Sequence, residues 1–203
     1  MNIAVFCSGN GSNFQAIADA VRAGDIKASI ALMVCDTPGA YAIERAKKAG
    51  TEVFLLEKKG FKTREDYDRA VARKLKEKEI GLVVLAGFMR LLSPYFVREY
   101  KNRILNIHPA LLPSFKGTHG IKDALEYGAK VTGPTVHFVD EGLDSGPVII
   151  QDAVGIEDGD TEDTLAAKIH KREHIIYPLA VKWFTEGKIK LEGRKVRILN
   201  GKD

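Results

Sequence analysis

A short segment near the middle of the chain carries polar side chains whose spacing suits catalysis. Asn106 and His108 stand two residues apart at the end of the apolar run "RILNIHP". Residues two apart in a strand share a face, so both side chains can point toward one spot where the strand ends. Pro109 and Pro113 follow closely and stiffen the chain that leaves the strand. The pattern predicts a functional site at this strand end.

The two side chains offer the donors that a group-transfer site needs. The Asn106 amide supplies two N–H donors, and a protonated His108 can stabilise negative charge or give up a proton. A nearby carboxylate would favour the charged form of the imidazole. Candidates are Asp140, Glu141 and Asp144, of which Asp144 is preferred because glycines and a proline shape the loop around it. The alternative is an ordinary buried histidine and a turn aspartate.

A second candidate site is the segment "SGNGSN", which follows the first apolar run and opens the first predicted helix. Backbone N–H groups at a helix N-terminus favour an anion, so a phosphate can bind Gly11, Ser12 and Asn13. Two glycines match the dinucleotide fingerprint, but Phe14 stands where its third glycine belongs. Asp36, at the end of the second apolar run, stands where a ribose-binding acid would be, so a nicotinamide dinucleotide is a further possible ligand. An ordinary strand-to-helix turn is the third interpretation.

The elements that must position these residues alternate along the first half of the chain. Helical-period stretches separate five short apolar runs, which are "NIAVFC", "ASIALMVCD", "EVFLL", "IGLVVLAGF" and "RILNIHP". Such alternation predicts parallel strands joined by crossover helices. We therefore predict an α/β fold with a doubly wound, Rossmann-like, mostly parallel sheet.

The pattern changes after about residue 115. The runs "VTGPTVHFVD" and "GPVIIQDAVGI" predict an antiparallel pair at the edge of the sheet, joined by the turn "EGLDS". A long helix is predicted to begin at Thr161, to be disturbed at Pro178 and to end at Gly187. A terminal hairpin is predicted to turn at Glu192 and Gly193.

These elements predict one domain over residues 1–203. Its halves are a nucleotide-binding part over 1–108 and a part over 109–203 that carries the catalytic loop, the strand pair, the long helix and the hairpin. The segment 110–130 contains three glycines, His119 and Pro113. We predict it as a loop that can act as a lid.

Composition restricts the class of function. The 203 residues are 45% hydrophobic and carry a net charge of +4, enough for one sizeable core. Basic and acidic residues are interspersed, which suits anionic small molecules and argues against a nucleic-acid partner. No apolar run reaches roughly 18 uncharged residues, and the start lacks signal-peptide features. We expect a cytoplasmic monomer or homodimer with no membrane partner, in which Cys7 and Cys35 are buried, reduced thiols.

Three segments in order, "SGNGSN", "NIHPALLP" and "GLDSGPVI", resemble the folate-dependent formyltransferases over almost the whole chain. The resemblance implies transfer of a formyl group from 10-formyltetrahydrofolate, the cosubstrate, to the amine of glycinamide ribonucleotide. It implies no metal and no covalent enzyme intermediate. A formyltetrahydrofolate hydrolase or another formyl-folate-dependent transferase is the alternative. Ala110 departs from the family, which often has Ser there, but no chemistry is expected at that position.

The resemblance also assigns roles to residues. The catalytic set that it implies is Asn106, His108 and Asp144. The phosphate-binding set is Gly11, Ser12 and Asn13. Glu173 is expected at the glycinamide end of the substrate, and the basic residue at the phosphate stays open among His170, Lys171 and Arg172. The folate-binding set is Arg64, Phe88, Met89, Arg90, Leu91, Leu92, Asn106, Val139, Asp140, Glu141, Leu143 and Asp144, with Arg64 at the glutamate tail.

Two rivals belong to other classes of protein. The segment "HKREH" matches an inverted zinc-protease signature, but the acid that follows it, Glu186, lies past Pro178 near the helix end. A helix face with Glu173 turned to substrate is therefore preferred. A nicotinamide-dependent dehydrogenase or a non-catalytic nucleotide-binding module can share the first half of the chain. Neither explains the Asn, His and Asp set.

Overall fold

The computed structural model describes residues 1–199, in which strands and helices alternate as the sequence predicts. The strands are β1 Asn2–Cys7, β2 Ser29–Cys35, β3 Val53–Leu55, β4 Ile80–Leu85, β5 Ile104–His108, β6 Val131–Thr132, β7 Thr135–Phe138, β8 Val148–Gln151, β9 Val154–Gly155, β10 Ile189–Glu192 and β11 Lys195–Ile198. The helices are α1 Ser12–Arg22, α2 Tyr41–Lys48, α3 Arg64–Glu77, α4 Pro94–Glu99, α5 Gly120–Tyr127 and α6 Glu162–Thr185.

Seven strands form the main sheet in the order β3-β2-β1-β4-β5-β7-β8. Strand β1 pairs in parallel with β2 and β4, and β2 pairs in parallel with β3. Strands β7 and β8 are antiparallel. The prediction of a doubly wound α/β sheet with an antiparallel edge is confirmed.

Two compact units divide the chain between Leu105 and Asn106, within strand β5. The first unit comprises residues 1–105 and the second begins at Asn106. This division lies close to the predicted boundary between halves at residue 108. The grouping of both halves into a single domain stays a prediction.

The first unit is built on strands that are largely apolar. In β1, Ile3, Ala4 and Val5 are fully buried, as expected for strands of a parallel sheet that helices cover. Helix α3 begins at a capping box, in which the Thr63 side chain accepts from the Asp66 N–H while the Asp66 carboxylate accepts from the Thr63 N–H. In this unit the buried apolar residues and the helix cap therefore indicate the same strands and helices that the structure contains.

The second unit confirms the predicted antiparallel pair but divides each run into two strands. Strands β6 and β9 form a small separate sheet, and β7 and β8 belong to the main sheet. The break falls at Gly133, where an added Cβ would lie 1.9 Å from the Asp152 carbonyl oxygen. Only glycine permits this close approach, since any side chain would collide with the facing backbone.

The long helix and the terminal hairpin lie where they were predicted, but the disturbance expected at Pro178 does not break the helix. Thr161 caps α6, and its hydroxyl accepts from the Thr164 N–H. The helix continues through Pro178 to Thr185, and Gly187 follows with a φ of 68°. Strands β10 and β11 pair in antiparallel fashion around the turn.

The prediction of a loop over residues 110–130 is wrong in part, because the segment contains helix α5. Ile121 and Leu125 stand four residues apart, so they share one face of this helix. Both pack against a buried cluster, which consists of Val154, Leu165 and Ile169. The apolar spacing of a short amphipathic helix was hidden by the surrounding Gly, His and Pro. The lid function stays a prediction.

The two cysteines are buried free thiols, as predicted. Cys7 and Cys35 are partners in the register of β1 and β2. Burial raises the pKa of both thiols, so neither is a reactive nucleophile near neutral pH. Separately, among residues 1–199 no helix has the length and apolar character needed to cross a bilayer.

Candidate active site

The Asn106 amide is oriented by a histidine on the neighbouring element β7. Its Nδ2 atom lies 3.1 Å from Nε2 of His137, and Nδ1 of His137 lies 2.8 Å from the Phe138 carbonyl oxygen. A carbonyl only accepts, so His137 carries its proton on Nδ1 and its Nε2 accepts from Asn106. Burial lowers the pKa of His137, which favours this neutral ring. One N–H of the Asn106 amide therefore donates to His137, and the amide has a second N–H.

His108 and Asp144 lie side by side in the second unit. The His108 Nδ1 atom is 3.6 Å from Oδ2 of Asp144, and His137 Nε2 is 3.8 Å from Oδ1 of the same carboxylate. The first distance allows attraction between a protonated His108 and the carboxylate, whereas His137 is neutral, and both distances exceed a hydrogen bond. His108 is only 3% exposed. The structure thus brings Asn106, His108 and Asp144 together and adds His137 to the group.

A short segment of the polypeptide after β5 contacts two members of this group. The His108 Nε2–H donates to the Phe115 carbonyl oxygen at 2.7 Å. The Gly117 N–H donates to Oδ2 of Asp144 at 2.8 Å. Phe115 has a φ of 51°, a left-handed conformation that is uncommon for a bulky residue. In this conformation the backbone of segment 115–117 occupies the hydrogen-bonding side of His108.

The turn between β5 and this segment is fixed by strand β7. The Thr135 hydroxyl donates to the Ala110 carbonyl oxygen at 2.7 Å and accepts from the Leu112 N–H at 3.1 Å. Gln151 on β8 donates to the Leu112 carbonyl oxygen at 2.9 Å. Ala110 is fully buried and contributes its backbone, so the loss of a serine hydroxyl there leaves this turn anchored.

Asp144 sits in a turn that its neighbours hold. The Asp140 carboxylate accepts from the Ser145 hydroxyl at 2.6 Å and from the Gly142 N–H at 3.1 Å. Arg194 of the terminal hairpin donates to the Ser145 carbonyl oxygen at 2.6 Å. Asp144 itself has a φ of 44°, a conformation that aspartate tolerates better than most residues. The turn therefore presents this carboxylate in one orientation.

Gly120 gives a first testable prediction, because it packs against the His108 ring. An added Cβ would lie 3.2 Å from His108 Nε2 and 3.0 Å from the Phe115 carbonyl oxygen. The Gly120→Ala substitution is expected to displace the imidazole and to lower kcat about tenfold, the effect of roughly 1.4 kcal/mol at the transition state. Steady-state kinetics measures this. Gly159→Ala is the control, since its Cβ would meet nothing within 4 Å, and equal activity of both variants would contradict the prediction.

The glycine loop lies in the first unit and begins helix α1. Gly11 is the N-cap residue, with a φ of 75° and no side-chain cap on the helix among the described residues. An added Cβ at Gly11 would lie 2.7 Å from the Ala42 Cβ, and the Ala42 N–H donates to the Gly9 carbonyl oxygen at 3.1 Å. The loop is thus pressed against α2, and it presents the open N-terminus of an eleven-residue helix.

The segment after β4 contains large apolar side chains that face solvent. Met89 is 72% exposed and Leu91 is 60% exposed, so the segment presents apolar surface to solvent. Phe88 and Leu92 are partly buried. The Arg90 guanidinium lies 3.8 Å from the centre of the Tyr67 ring.

Two further contacts tie this segment to the rest of the first unit. The Met89 N–H donates to the Ser8 hydroxyl, and the Ser93 N–H donates to the Asp68 carboxylate. Arg64 is an exposed residue at the start of α3.

The remaining predicted site residues belong to the second unit. Val139 and Asp140 are partly buried, whereas Glu141 and Leu143 are exposed. On α6, Glu173 is 4% exposed. The three open candidates for the phosphate are all exposed, namely His170, Lys171 and Arg172. Within residues 1–199, no three His, Cys, Asp or Glu side chains are grouped in a way that could hold a metal ion.

His137 is a functional candidate that the sequence reading missed. It is a polar residue inside the buried run "TVHF" of β7, where an unexplained histidine is itself a signal. The Phe115 carbonyl was also missed, and no side-chain pattern could have indicated a backbone contact.

His137 gives a second prediction, which concerns activity. In His137→Leu the Asn106 amide loses its acceptor, so we expect kcat to fall about tenfold, consistent with losing one buried hydrogen bond. In His137→Gln the side-chain oxygen can replace Nε2 as acceptor, and we expect most of the activity to return. Steady-state kinetics of both variants tests this. Equal losses in the two variants would show that the hydrogen bond does not matter.

His137 gives a third prediction, which concerns stability. Because burial lowers its pKa in the folded protein, the unfolded chain binds a proton below about pH 6.5 that the folded chain excludes. The free energy of unfolding is therefore expected to fall as the pH drops below that value, by at most about 1.4 kcal/mol per pH unit. Urea unfolding at pH 7.5 and 5.5 measures the loss. It should be smaller in His137→Gln, and an identical loss in both proteins would refute the idea.

The known proteins that this chain is similar to are formyltransferases. A family model described as formyl transferase matches residues 1–181. Phosphoribosylglycinamide formyltransferase of Escherichia coli (strain K12) is 46% identical over 191 residues, which cover 94% of this chain and 90% of that protein. The crystal structure of glycinamide ribonucleotide transformylase 1 from Symbiobacterium toebii matches with a TM-score of 0.97 and 44% identity, covering 98% of this chain and 94% of that one.

A larger relative contains a similar sequence as one part of its length. The trifunctional purine biosynthetic protein adenosine-3 of Drosophila melanogaster is 47% identical over 187 residues. These residues cover 91% of this chain but only 14% of that protein.

Proposed function

The chain belongs to the formyl transferase family, and from this premise we propose that it transfers a formyl group from 10-formyltetrahydrofolate to the amine of glycinamide ribonucleotide. This is the phosphoribosylglycinamide formyltransferase reaction of purine biosynthesis. The observation that carries the proposal is the 46% identity to the Escherichia coli enzyme of that name over nearly the full length of both chains. The grouping of Asn106, His108 and Asp144 supplies the chemistry.

The reaction is a direct transfer of the formyl group. The substrate amine attacks the formyl carbon and forms a C–N bond, and the carbonyl electron pair moves to oxygen. Collapse of this tetrahedral intermediate breaks the bond from carbon to N10 of the folate, while a proton passes from the amine to N10. The second N–H of Asn106 and an N–H of His108 stabilise the oxyanion. Asp144 lies 3.6 Å from the imidazole and places a negative charge beside it.

This mechanism requires His108 to exchange one hydrogen-bonding partner. Its Nε2–H donates to the Phe115 carbonyl, so that N–H reaches the formyl oxygen only after the carbonyl moves away. We infer that binding of the formyl group replaces this contact. Segment 115–117 is then the part of the polypeptide that must shift during the reaction.

The phosphate of the ribonucleotide is proposed to bind Gly11, Ser12 and Asn13. The uncapped N-terminus of α1 supports this role because it presents backbone N–H groups and a positive dipole end. Glu173 is proposed to accept from the glycinamide end of the substrate. The basic residue at the phosphate is proposed to be one of His170, Lys171 and Arg172, which are all exposed.

The folate is proposed to contact the segment after β4 and the turn that holds Asp144. Exposed apolar side chains at Met89, Leu91 and Leu143 support this proposal, because a pterin needs apolar surface together with backbone hydrogen bonds. The remaining proposed folate contacts are Arg64 at the glutamate tail, Phe88, Arg90, Leu92, Asn106, Val139, Asp140, Glu141 and Asp144. No metal takes part in the proposed reaction.

A paired assay tests the proposed function. Loss of the formyl group from 10-formyltetrahydrofolate is followed with and without glycinamide ribonucleotide. Loss only in the presence of the ribonucleotide supports the proposal. Equal loss without it would make water the acceptor and the chain a hydrolase, an activity that the relatives do not favour. A cytoplasmic location and a monomeric or homodimeric state stay predictions.

A further inference from the structure

We propose that Arg45 of helix α2 is a positioning residue for the ribonucleotide phosphate, an inference that rests on the proposed function. Arg45 does not touch the reacting atoms. It forms hydrogen bonds with Asn10, which precedes the phosphate-binding residues, and it places a positive charge beside these residues.

The Arg45 guanidinium forms two hydrogen bonds with Asn10. Its Nε–H donates to the Asn10 carbonyl oxygen at 3.0 Å, and its Nη2 donates to the Asn10 side-chain oxygen at 3.1 Å. These bonds connect residues 35 positions apart in the chain. A planar fork of donors is what allows one side chain to hold both the backbone and the side chain of the same residue.

The guanidinium is itself immobilised. Its Nη1 lies within 3.4 Å of the Gln15 side-chain oxygen on α1, and its central carbon lies 4.8 Å from the centre of the Tyr41 ring. Contacts with an aromatic face and with two elements leave the side chain little rotational freedom. The fork is therefore preorganised, and its grip on Asn10 does not depend on a bound ligand.

Asn10 connects Arg45 to the phosphate-binding loop. It directly precedes Gly11, whose φ of 75° turns the chain into α1. Helix α2 contacts three successive residues, since Ala42 donates to the Gly9 carbonyl and packs against Gly11. Because the conformation of this turn decides where the N–H groups of α1 point, fixing Asn10 fixes the direction of the phosphate-binding donors.

Charge supplies the second part of the argument. The six residues of "SGNGSN" are all uncharged, so the loop relies on the helix dipole and on whatever cation is beside it. Arg45 provides one formal positive charge in direct contact with the loop. On α6, by contrast, Arg172 lies 3.7 Å from the Asp152 carboxylate, which offsets its charge.

The test compares Arg45→Gln and Arg45→Lys with wild type. We expect the KM for glycinamide ribonucleotide to rise about tenfold in Arg45→Lys and further in Arg45→Gln, which also loses the charge, while kcat changes less than twofold and the KM for the folate is unchanged. Lysine keeps the charge but lacks the fork, so its failure to restore KM identifies positioning. The matched control is Arg22→Gln at the opposite end of α1, where the arginine pairs only with Asp19 among the described residues.

Three results would overturn the proposal. These are a wild-type KM in both Arg45 variants, a KM restored by lysine alone, and an equal rise in the KM for folate. If Arg45→Gln does not fold, Asn10→Ala removes the same side-chain contact from the other side. Asn10→Ala is expected to raise the ribonucleotide KM, and a wild-type KM would contradict the role.

A binding experiment separates this proposal from the proposed function. Inorganic phosphate is titrated into wild-type and Arg45→Lys protein, and the amide resonance of Gly11 is followed by NMR. We expect the dissociation constant for phosphate to rise about tenfold in the variant, whether or not the ribonucleotide is turned over. An unchanged dissociation constant would overturn the role of Arg45. Absence of turnover in wild type would instead refute the proposed function.

Discussion

Replacing His108 with alanine is expected to lower kcat for formyl transfer about 10²- to 10³-fold, or roughly 3 to 4 kcal/mol in transition-state stabilisation. The imidazole is one of two proposed donors to the oxyanion, and alanine cannot replace it. Folate binding should persist, because the proposed apolar contacts at Met89, Leu91 and Leu143 are untouched. The measurement combines single-turnover rates with a dissociation constant for the folate.

The control for this variant is His119→Ala. His119 is an exposed histidine in the same unit, at the N-cap of α5, so it tests the loss of an imidazole near the site. It should retain nearly full activity. A decrease in kcat of less than tenfold in a folded His108→Ala protein would remove His108 from the chemistry.

Replacing Asp144 with asparagine should lower kcat about 10²-fold, within the range found when one contact that stabilises developing charge is removed. Asparagine keeps the shape, and its side-chain oxygen can still accept from the Gly117 N–H. It removes the negative charge that lies 3.6 Å from the imidazole. The measurement is kcat at saturating concentrations of both substrates.

Asp158→Asn serves as the matched control for Asp144→Asn. Asp158 is an exposed carboxylate of the second unit whose side chain pairs with Lys130. This variant should show the wild-type rate. A kcat for Asp144→Asn equal to that of wild type would remove the proposed electrostatic role.

Much of the fold follows from the sequence because local signals and burial agree. The apolar runs of β1, β2 and β4 have the composition of strands in a buried parallel sheet, and Thr161 has the sequence of a helix cap. Helix α5 was missed because its apolar residues are few and its flanks resemble a loop. Its helical face is evident only once the cluster beneath it is known.

Part of the candidate site could likewise be predicted from the sequence, and part could not. The spacing of Asn106 and His108 was readable because strand geometry relates residues two apart. The contact of Asn106 with His137 was not readable, since it depends on which strand lies beside β5. The bond from His108 to the Phe115 carbonyl involves no side-chain partner. The grip of Arg45 on Asn10 joins distant residues through the packing of α2 on the loop.

The central claim is that the formyl group passes directly from folate to the ribonucleotide amine. It is tested by a single turnover with enzyme in excess over 10-formyltetrahydrofolate that carries ¹³C in the formyl group, with glycinamide ribonucleotide present. Mass spectrometry of the quenched reaction locates the label. We predict that it appears in the formylated ribonucleotide in equal amount to the folate consumed. Label recovered on the protein or as free formate would contradict direct transfer.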